Sequence, residues 1–230
     1  MRTLLVAAIA SGCSVPQLYS AFDCPAASTS APAKITITGT VTDPYQGRGA
    51  PVANASVTSG GATAMTNAQG NFSLTLTTNG APIIAQFELT ASGYVPNAYS
   101  TADALAADTE ILPVMFLDEE LAMIASATGI PLGSGGVIFA SVVDCMDNPV
   151  KGAQLSSTTG DIIYLDGYTP SGSATATDGD TGAAIIIGAT GSDNELAATY
   201  GSGSGKQMIG NHSVDAAPDV LTQTEVGPLQ

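Results

Sequence analysis

The residues through which this chain could do chemistry are few: one histidine, three cysteines and a scatter of carboxylates. A Ser-His-Asp hydrolase needs a base oriented by a carboxylate and aimed at a nucleophile. His212 lies near Asp215 in GNHSVD, but no G-x-S-x-G elbow occurs in the chain, so His212 reads as a surface loop residue. A zinc centre takes three or four His or Cys ligands, which one His and three dispersed Cys cannot assemble. GSGSGKQM, residues 201–208, has the glycines and lysine of a phosphate loop. Tyr200 stands where that pattern needs glycine, however, and Gln207 where it needs Ser or Thr. TDGDTG sets Asp178 and Asp180 at alternate positions, as in a calcium loop, while Gly182 and Ile187 supply neither the next oxygen nor the distal glutamate. The pair stays a weak calcium candidate, with a solvated turn as the other reading. These failures point away from an enzyme, and no cofactor is expected.

Charge narrows the partners. Five Lys and Arg against 20 Asp and Glu leave a net charge of −15, an imbalance due to the scarcity of bases. With no basic patch to neutralise phosphates, the balance rules against nucleic acid and disfavours peripheral docking on anionic lipid. Hydrophobic residues at 44% and charged ones at 11% supply enough apolar side chain for a packed core. The abundance of Gly, Ser and Thr is that of many short strands joined by tight turns.

The N-terminus, MRTLLVAAIASGCSVP, has one Arg, an apolar run and then small residues, the layout of a secretory signal over residues 1–12. ASGC at 10–13 resembles the bacterial lipobox, with Ala10 where leucine is usual. The resemblance implies that Cys13 is acylated and becomes the mature N-terminus; otherwise Cys13 is incidental to an ordinary cleaved signal. Ser14 and Val15 follow it in place of the Asp associated with inner-membrane retention, which directs the expectation to the outer membrane of the cell envelope. Cys24 and Cys145 are then an even pair in an oxidising compartment, either bridged or separately buried. A bridge would clip the N-terminal arm to the second half of the chain and contribute about 4–5 kcal/mol. Residues 13–33, rich in Ser, Pro and Ala, read as a flexible tether.

These residues have to be positioned by strands. KITITGTVTD places Ile35, Ile37 and Val41 on one face and threonines on the other, a half-buried antiparallel strand. DPYQGRG turns the chain, PVANASV is a second strand, and TNAQGNFSLTL gives a turn and a third. TNGAP is an Asn-Gly hairpin signal before a fourth strand in IIAQFELTASGY. The same phrase returns from Gly136. GVIFASVVD is continuously apolar and so buried on both faces, Asp144 answers Asp43, Pro149 and Val150 answer Pro51 and Val52, and TDGDTGAAIII answers TNAQGNFSLTL. Turn chemistry repeats along with the core.

The recurring pattern G-x-V-x-D, P-V-x-G-A-x-V and T-x-x-x-G-x-F resembles the carboxypeptidase regulatory-like domain, of transthyretin-like sandwich type. Residues 136–189 fit it best; the first copy has three extra residues before Pro51 and Asn54 where glycine is usual. The resemblance implies an all-β protein of two tandem transthyretin-like, Ig-like antiparallel β-sandwiches, over 34–117 and 136–230. It also implies small non-catalytic modules of secreted and envelope proteins. Between them, LDEELAMIASATGI is a helix with Asp118 as N-cap, a stripe of Leu121, Ile124 and Ala125, and Gly129 as stop, so 118–135 forms the linker. Lys34 and Glu88 are suggestive of the Lys–Asn isopeptide bond of pilin sandwiches. EILPVMFL, read as the closing strand, contains no Asn, and no such bond is expected.

One stretch has no counterpart in the first copy. The second copy is longer by thirteen residues between Pro149 and Thr177, and the addition brings Tyr164, Asp166 and Tyr168 together. Long loops on a rigid sandwich are where binding tends to reside, although the family resemblance includes a Tyr-x-Asp-Gly here and so a structural role. The expectation is therefore a non-enzymatic envelope lipoprotein, a spacer or docking module held to a membrane by lipid, its partner an envelope protein or glycan. The alternative is a carbohydrate- or peptide-binding protein using the 160–172 loop. Metabolic labelling with an alkyne fatty acid should tag the full chain and leave a Cys13→Ala variant unlabelled and released from membranes; equal labelling of both would remove the lipid anchor.

Overall fold

The computed structural model of the protein describes residues 21–46, 49–132 and 135–228. The signal over 1–12 and Cys13 lie outside the described residues.

Strands dominate, as the alternation requires. Those of the first repeat are β1 (Lys34–Thr40), β2 (Thr42–Asp43), β3 (Ala50–Pro51), β4 (Ser56–Ser59), β5 (Ala62–Met65), β6 (Asn71–Thr77), β7 (Gln86–Thr90), β8 (Asn97–Ser100) and β9 (Thr109–Ile111). After α1 (Asp118–Thr128) come β10 (Gly136–Val142), β11 (Ala153–Ser157), β12 (Asp161–Asp166), β13 (Thr169–Pro170), β14 (Ala183–Ala189), β15 (Gly191–Tyr200), β16 (Gln207–Ala216) and β17 (Leu221–Val226).

In the first repeat β1 and β6 bury every second residue and pair antiparallel, with Ile35 opposite Leu76 and Ile37 opposite Leu74. Across from them β4, β7 and β8 contribute Val57, Phe87, Leu89 and Tyr99 to one core. Asn79 and Gly80 both have positive φ, as an Asn-Gly turn requires. The turn is not a hairpin, because β6 and β7 lie in different sheets and it carries the chain across the sandwich. Of the closing stretch EILPVMFL only its first two residues belong to a strand, β9; Val114 and Leu117 make isolated bridges.

The repeat extends to individual hydrogen bonds. Val41 N–H donates to the Gly70 carbonyl (2.9 Å) and Val52 N–H to the Val41 carbonyl (2.9 Å); Val142, Gly182 and Val150 reproduce the pair at 2.8 and 2.9 Å. The Thr66 hydroxyl donates to the Val52 carbonyl and accepts from Ala55 N–H, and Thr177 does the same with Val150 and Ala153. Asn54 has φ +58° where the second copy has Gly152 at +82°. Asn can stand where the second copy has glycine because its short polar side chain tolerates left-handed backbone.

The second repeat alternates between two cores. Ile138, Ala140, Ala184, Ile186 and Tyr164 face β11, β15 and β16. Val137, Phe139, Ile163, Leu165, Ile185 and Ile187 face the other way, against Leu121 and Ile124 of α1 and Val95, Val114 and Phe116 of the first repeat. A strand covered on both faces needs no polar alternation, which accounts for the apolar runs GVIFASV and AAIIIGA. The helix begins with Leu117 rather than Asp118 as N-cap, its N–H donating to Glu120 Oε2 (2.8 Å), and ends at Gly129 with φ +71°.

Two expectations are corrected. The sheets are mixed rather than antiparallel: β9 runs parallel to β1, and β17 runs parallel to both β10 and β8. The last two pairings fuse the repeats into one nine-stranded sheet, β13-β12-β14-β10-β17-β8-β7-β4-β5. The tether expected over 13–33 is not free in its described part. Phe22 packs on Tyr200 with ring centres 6.1 Å apart, Cys145 N–H donates to the Ala21 carbonyl, and Ala31 N–H reaches the Gly80 carbonyl.

Gly182 combines φ +61° with no room for a side chain, since a Cβ would meet the Val142 carbonyl oxygen at 2.6 Å, whereas Gly167 at φ +60° has open space. Gly182→Ala should therefore cost about 2–4 kcal/mol in urea unfolding and Gly167→Ala only about 1 kcal/mol. Equal losses would show that backbone conformation alone matters at Gly182.

Candidate functional site

The 160–172 stretch is mostly strand, not loop. Residues 161–166 form β12, which pairs with β14 and lengthens the large sheet. Tyr164 is buried, and its hydroxyl oxygen accepts Leu155 N–H at 2.9 Å, tying β12 to the facing sheet. Burial raises its pKa above the ordinary tyrosine value. Tyr164 therefore leaves the binding candidate set: it lies in the part of β12 paired with β14 and covered by the facing sheet, while Asp166, two residues on, lies past that pairing, exposed at the strand end. Tyr168, 39% exposed, lies flat on Phe139, centroids 6.4 Å apart at 14°. The expected trio is thus divided between core, surface and an aromatic stack.

That stack crosses the boundary between the repeats. From the first repeat Tyr45 packs on Phe116 (5.6 Å), and Phe116 on Phe139 of the second (5.8 Å). The Tyr45 hydroxyl donates to the Tyr168 carbonyl, and burial together with the nearby Glu120 pushes its pKa up to about 12. The extra stretch of the second copy thus closes over the crease.

Asp178 is occupied by its own turn. Its Oδ1 accepts Thr181 N–H (2.9 Å), the Thr181 hydroxyl (3.0 Å) and Gly182 N–H (3.2 Å), and its Oδ2 accepts Gly167 N–H. Burial acts to raise its pKa, but these donors hold it below the usual carboxylate value. A carboxylate so engaged is a turn clamp rather than the calcium ligand weighed from the sequence. Asp144 plays the same part, accepting Met146 and Asn148 N–H at 2.8 and 3.0 Å. Among the described residues no group of three or more His, Cys, Asp or Glu is placed to hold a metal.

Cys24 and Cys145 form a disulfide across 121 residues of sequence, fixing the arm to the 144–148 turn. His212 lies on β16 opposite Leu196, half-buried, rather than in a surface loop. Burial lowers its pKa, and Asp215 is turned to Asp193 N–H.

The residues the sequence reading missed are on β17. Gln223 is buried, its Oε1 accepting Val114 N–H (2.8 Å) and Asn97 Nδ2 (3.3 Å), its Nε2 donating to the Leu112 carbonyl (3.4 Å). The Thr224 hydroxyl donates to the Ser100 carbonyl (3.2 Å), and the Tyr99 hydroxyl to Glu225 Oε1 (3.5 Å). LTQTEV carries strand alternation, yet nothing local in it says that the polar side chains lie between two repeats. Chemically this seam can bind and hold; no nucleophile with an oriented base is found in it.

No protein-family model matches the chain, and no curated protein matches it. Among solved structures it is similar to a type II cohesin–X-dockerin complex from Acetivibrio cellulolyticus, at 18% identity over 36% of this chain and 58% of that one, with a TM-score of 0.29. It is also similar to the shaft pilin SpaA of Lactobacillus rhamnosus GG, at 14% identity over 87% of this chain and 98% of that one, TM-score 0.25. A minor pilin of Streptococcus agalactiae gives 13% identity over 85% and 96%, TM-score 0.23. Overlaps this loose leave the reading to the chain's own geometry.

Tyr164→Phe removes the acceptor of a buried N–H and should cost about 1–2 kcal/mol of stability, while Asp166→Ala should stay within about 0.5 kcal/mol. Denaturant midpoints measure both, and a neutral Tyr164→Phe would return Tyr164 to the functional candidates.

Proposed function

We propose that the protein is a non-enzymatic spacer or docking module of the cell envelope, held to the outer membrane through lipid on Cys13. The observation that carries the reading is the nine-stranded sheet: β17 hydrogen-bonds to β10 and to β8, so the two repeats share one backbone ladder rather than hanging on a linker. The disulfide to Cys24 adds an anchor-side clamp, because it fixes the arm that leads back toward Cys13. A body built this way carries force and keeps a set distance between its ends, as a spacer must.

The alternative, a glycan- or peptide-binding protein working through 160–172, retains only Asp166 and the exposed part of Tyr168. It is favoured by that exposure and weakened by the burial of Tyr164.

Two measurements separate the readings. Spin labels at the exposed positions Ser73→Cys on β6 and Ser156→Cys on β11, in a Cys13→Ala background, should give one narrow distance distribution; a broad one would remove the rigid spacer. Cross-linked pull-down from native envelopes should recover the same discrete partner with the wild type, Asp166→Ala and Tyr168→Ala. Loss of the partner in either variant would favour the binding protein.

A further inference from the structure

The bridging strand carries one ionisable side chain, and it sits where the repeats meet. Glu225 lies near the C-terminal end of β17, half-buried, in a cleft of about 270 Å³. From the first repeat the cleft is lined by Tyr99 on β8, by Asp103 in the segment after it, and by Glu110 on β9. From the second it is lined by Asp147, in the turn that the disulfide ties to the arm. The groove continues along the seam past Asp147 and Glu225 to Tyr168 and Asp180. No Lys, Arg or His lines either part among the described residues. Among the described residues, every charged group that lines the cleft with Glu225 is therefore of its own sign.

We propose that β17 is a pH-responsive latch: protonated Glu225 allows the strand's end to lie between Asp103 of one repeat and Asp147 of the other, and its ionisation loosens that end from the seam. Like charges in a partly desolvated cleft repel strongly, and a strand end held by few ladder bonds is where local opening is cheapest. β8 contributes to this end only through Ser100, opposite Thr224, so Glu225 and Val226 have β10 alone as ladder partner.

The direction of the effect follows from linkage. Burial first, then Asp147 and Asp103, raise the Glu225 pKa from 4.5 to about 7, against the lowering effect of the Tyr99 hydroxyl. Asp103 is raised as well, by burial and by Asp147. A carboxyl whose pKa is higher in the folded state binds its proton more tightly there than when released. The stabilisation is therefore fully present below about pH 4.5 and is lost as pH rises through about 7. The end of β17 is held tightest in mild acid and loosens at neutral and alkaline pH, while the ladder from Leu221 to Thr224 keeps the two repeats joined.

Amide hydrogen exchange on the intact chain, corrected for the intrinsic pH dependence of exchange, tests this at about pH 5.5 and about pH 8. Protection at 223–226 should fall on the order of tenfold between the two in the wild type and hold steady in Glu225→Gln. Asp103→Asn, at a less buried site, should reduce the fall without abolishing it, and provides the test should Glu225→Gln not fold. Protection in β4 and β7, far along the sheet, should not change. An equal fall in wild type and Glu225→Gln, or one spread uniformly through every sheet, would overturn the latch.

Discussion

A β-strand with an unpaired edge is a liability, and the structure turns on how two such edges are closed. Each repeat folds as a sandwich whose sheets would end at β8 in one case and at β10 in the other. β17 satisfies both ladders at once, parallel on either side. With that strand in place the edges cease to be open templates for pairing with other chains. The relative orientation of the repeats is then set by strand spacing and sheet twist rather than by the 118–135 segment. The helix packs on the face of the sheet that the fusion leaves bare, and its apolar stripe completes the core shared by both halves.

Once the sheet is continuous, the side chains along the junction have to satisfy interior rules. Gln223 does so by bonding to a backbone N–H, a backbone carbonyl and the Asn97 amide. The aromatic run from Tyr45 to Tyr168 fills the crease on the helix side. The added stretch of the second repeat belongs to this closure: β12 widens the sheet and the turn after it lays Tyr168 over Phe139. What reads as a spare binding loop in sequence is largely a device for covering a joint. Glu225 is the exception, an acid placed among acids in a cleft where the two halves and the arm-bound turn converge. A joint built for rigidity alone would have an apolar residue or a cation there.

Much of each sandwich was legible because its signals are local. The alternation of Ile35 and Ile37, the Asp at the turn after the first strand, and the glycines with positive φ act within a few residues of sequence, or against a partner fixed by the same motif. The helix with its glycine stop, and the doubly covered run GVIFASV, were legible for the same reason. The readings that failed concern partners distant in sequence. Asn79 and Gly80 specify a turn but not which sheet receives the next strand. Tyr164 and Asp166 differ in fate because β14 pairs with β12 only as far as Tyr164, which leaves Asp166 past the covered part of the strand. One oxygen of Asp178 is taken by its own turn and the other by Gly167, a residue that only the fold brings near.

The sequence by itself determined that the chain is all-β, that it states one strand–turn–strand unit twice, and where the turns and the helix fall. These follow from residue-scale preferences of backbone and side chain, which do not depend on what lies opposite. Only the tertiary structure decided that the repeats share a sheet, that the strand joining them is the last one, and that Glu225 faces Asp103 and Asp147. Pairing in β-structure is made between residues far apart along the chain, here more than a hundred positions between β8 and β17. A backbone ladder accepts almost any side chain, so the choice of partner leaves little trace in the residues that make it.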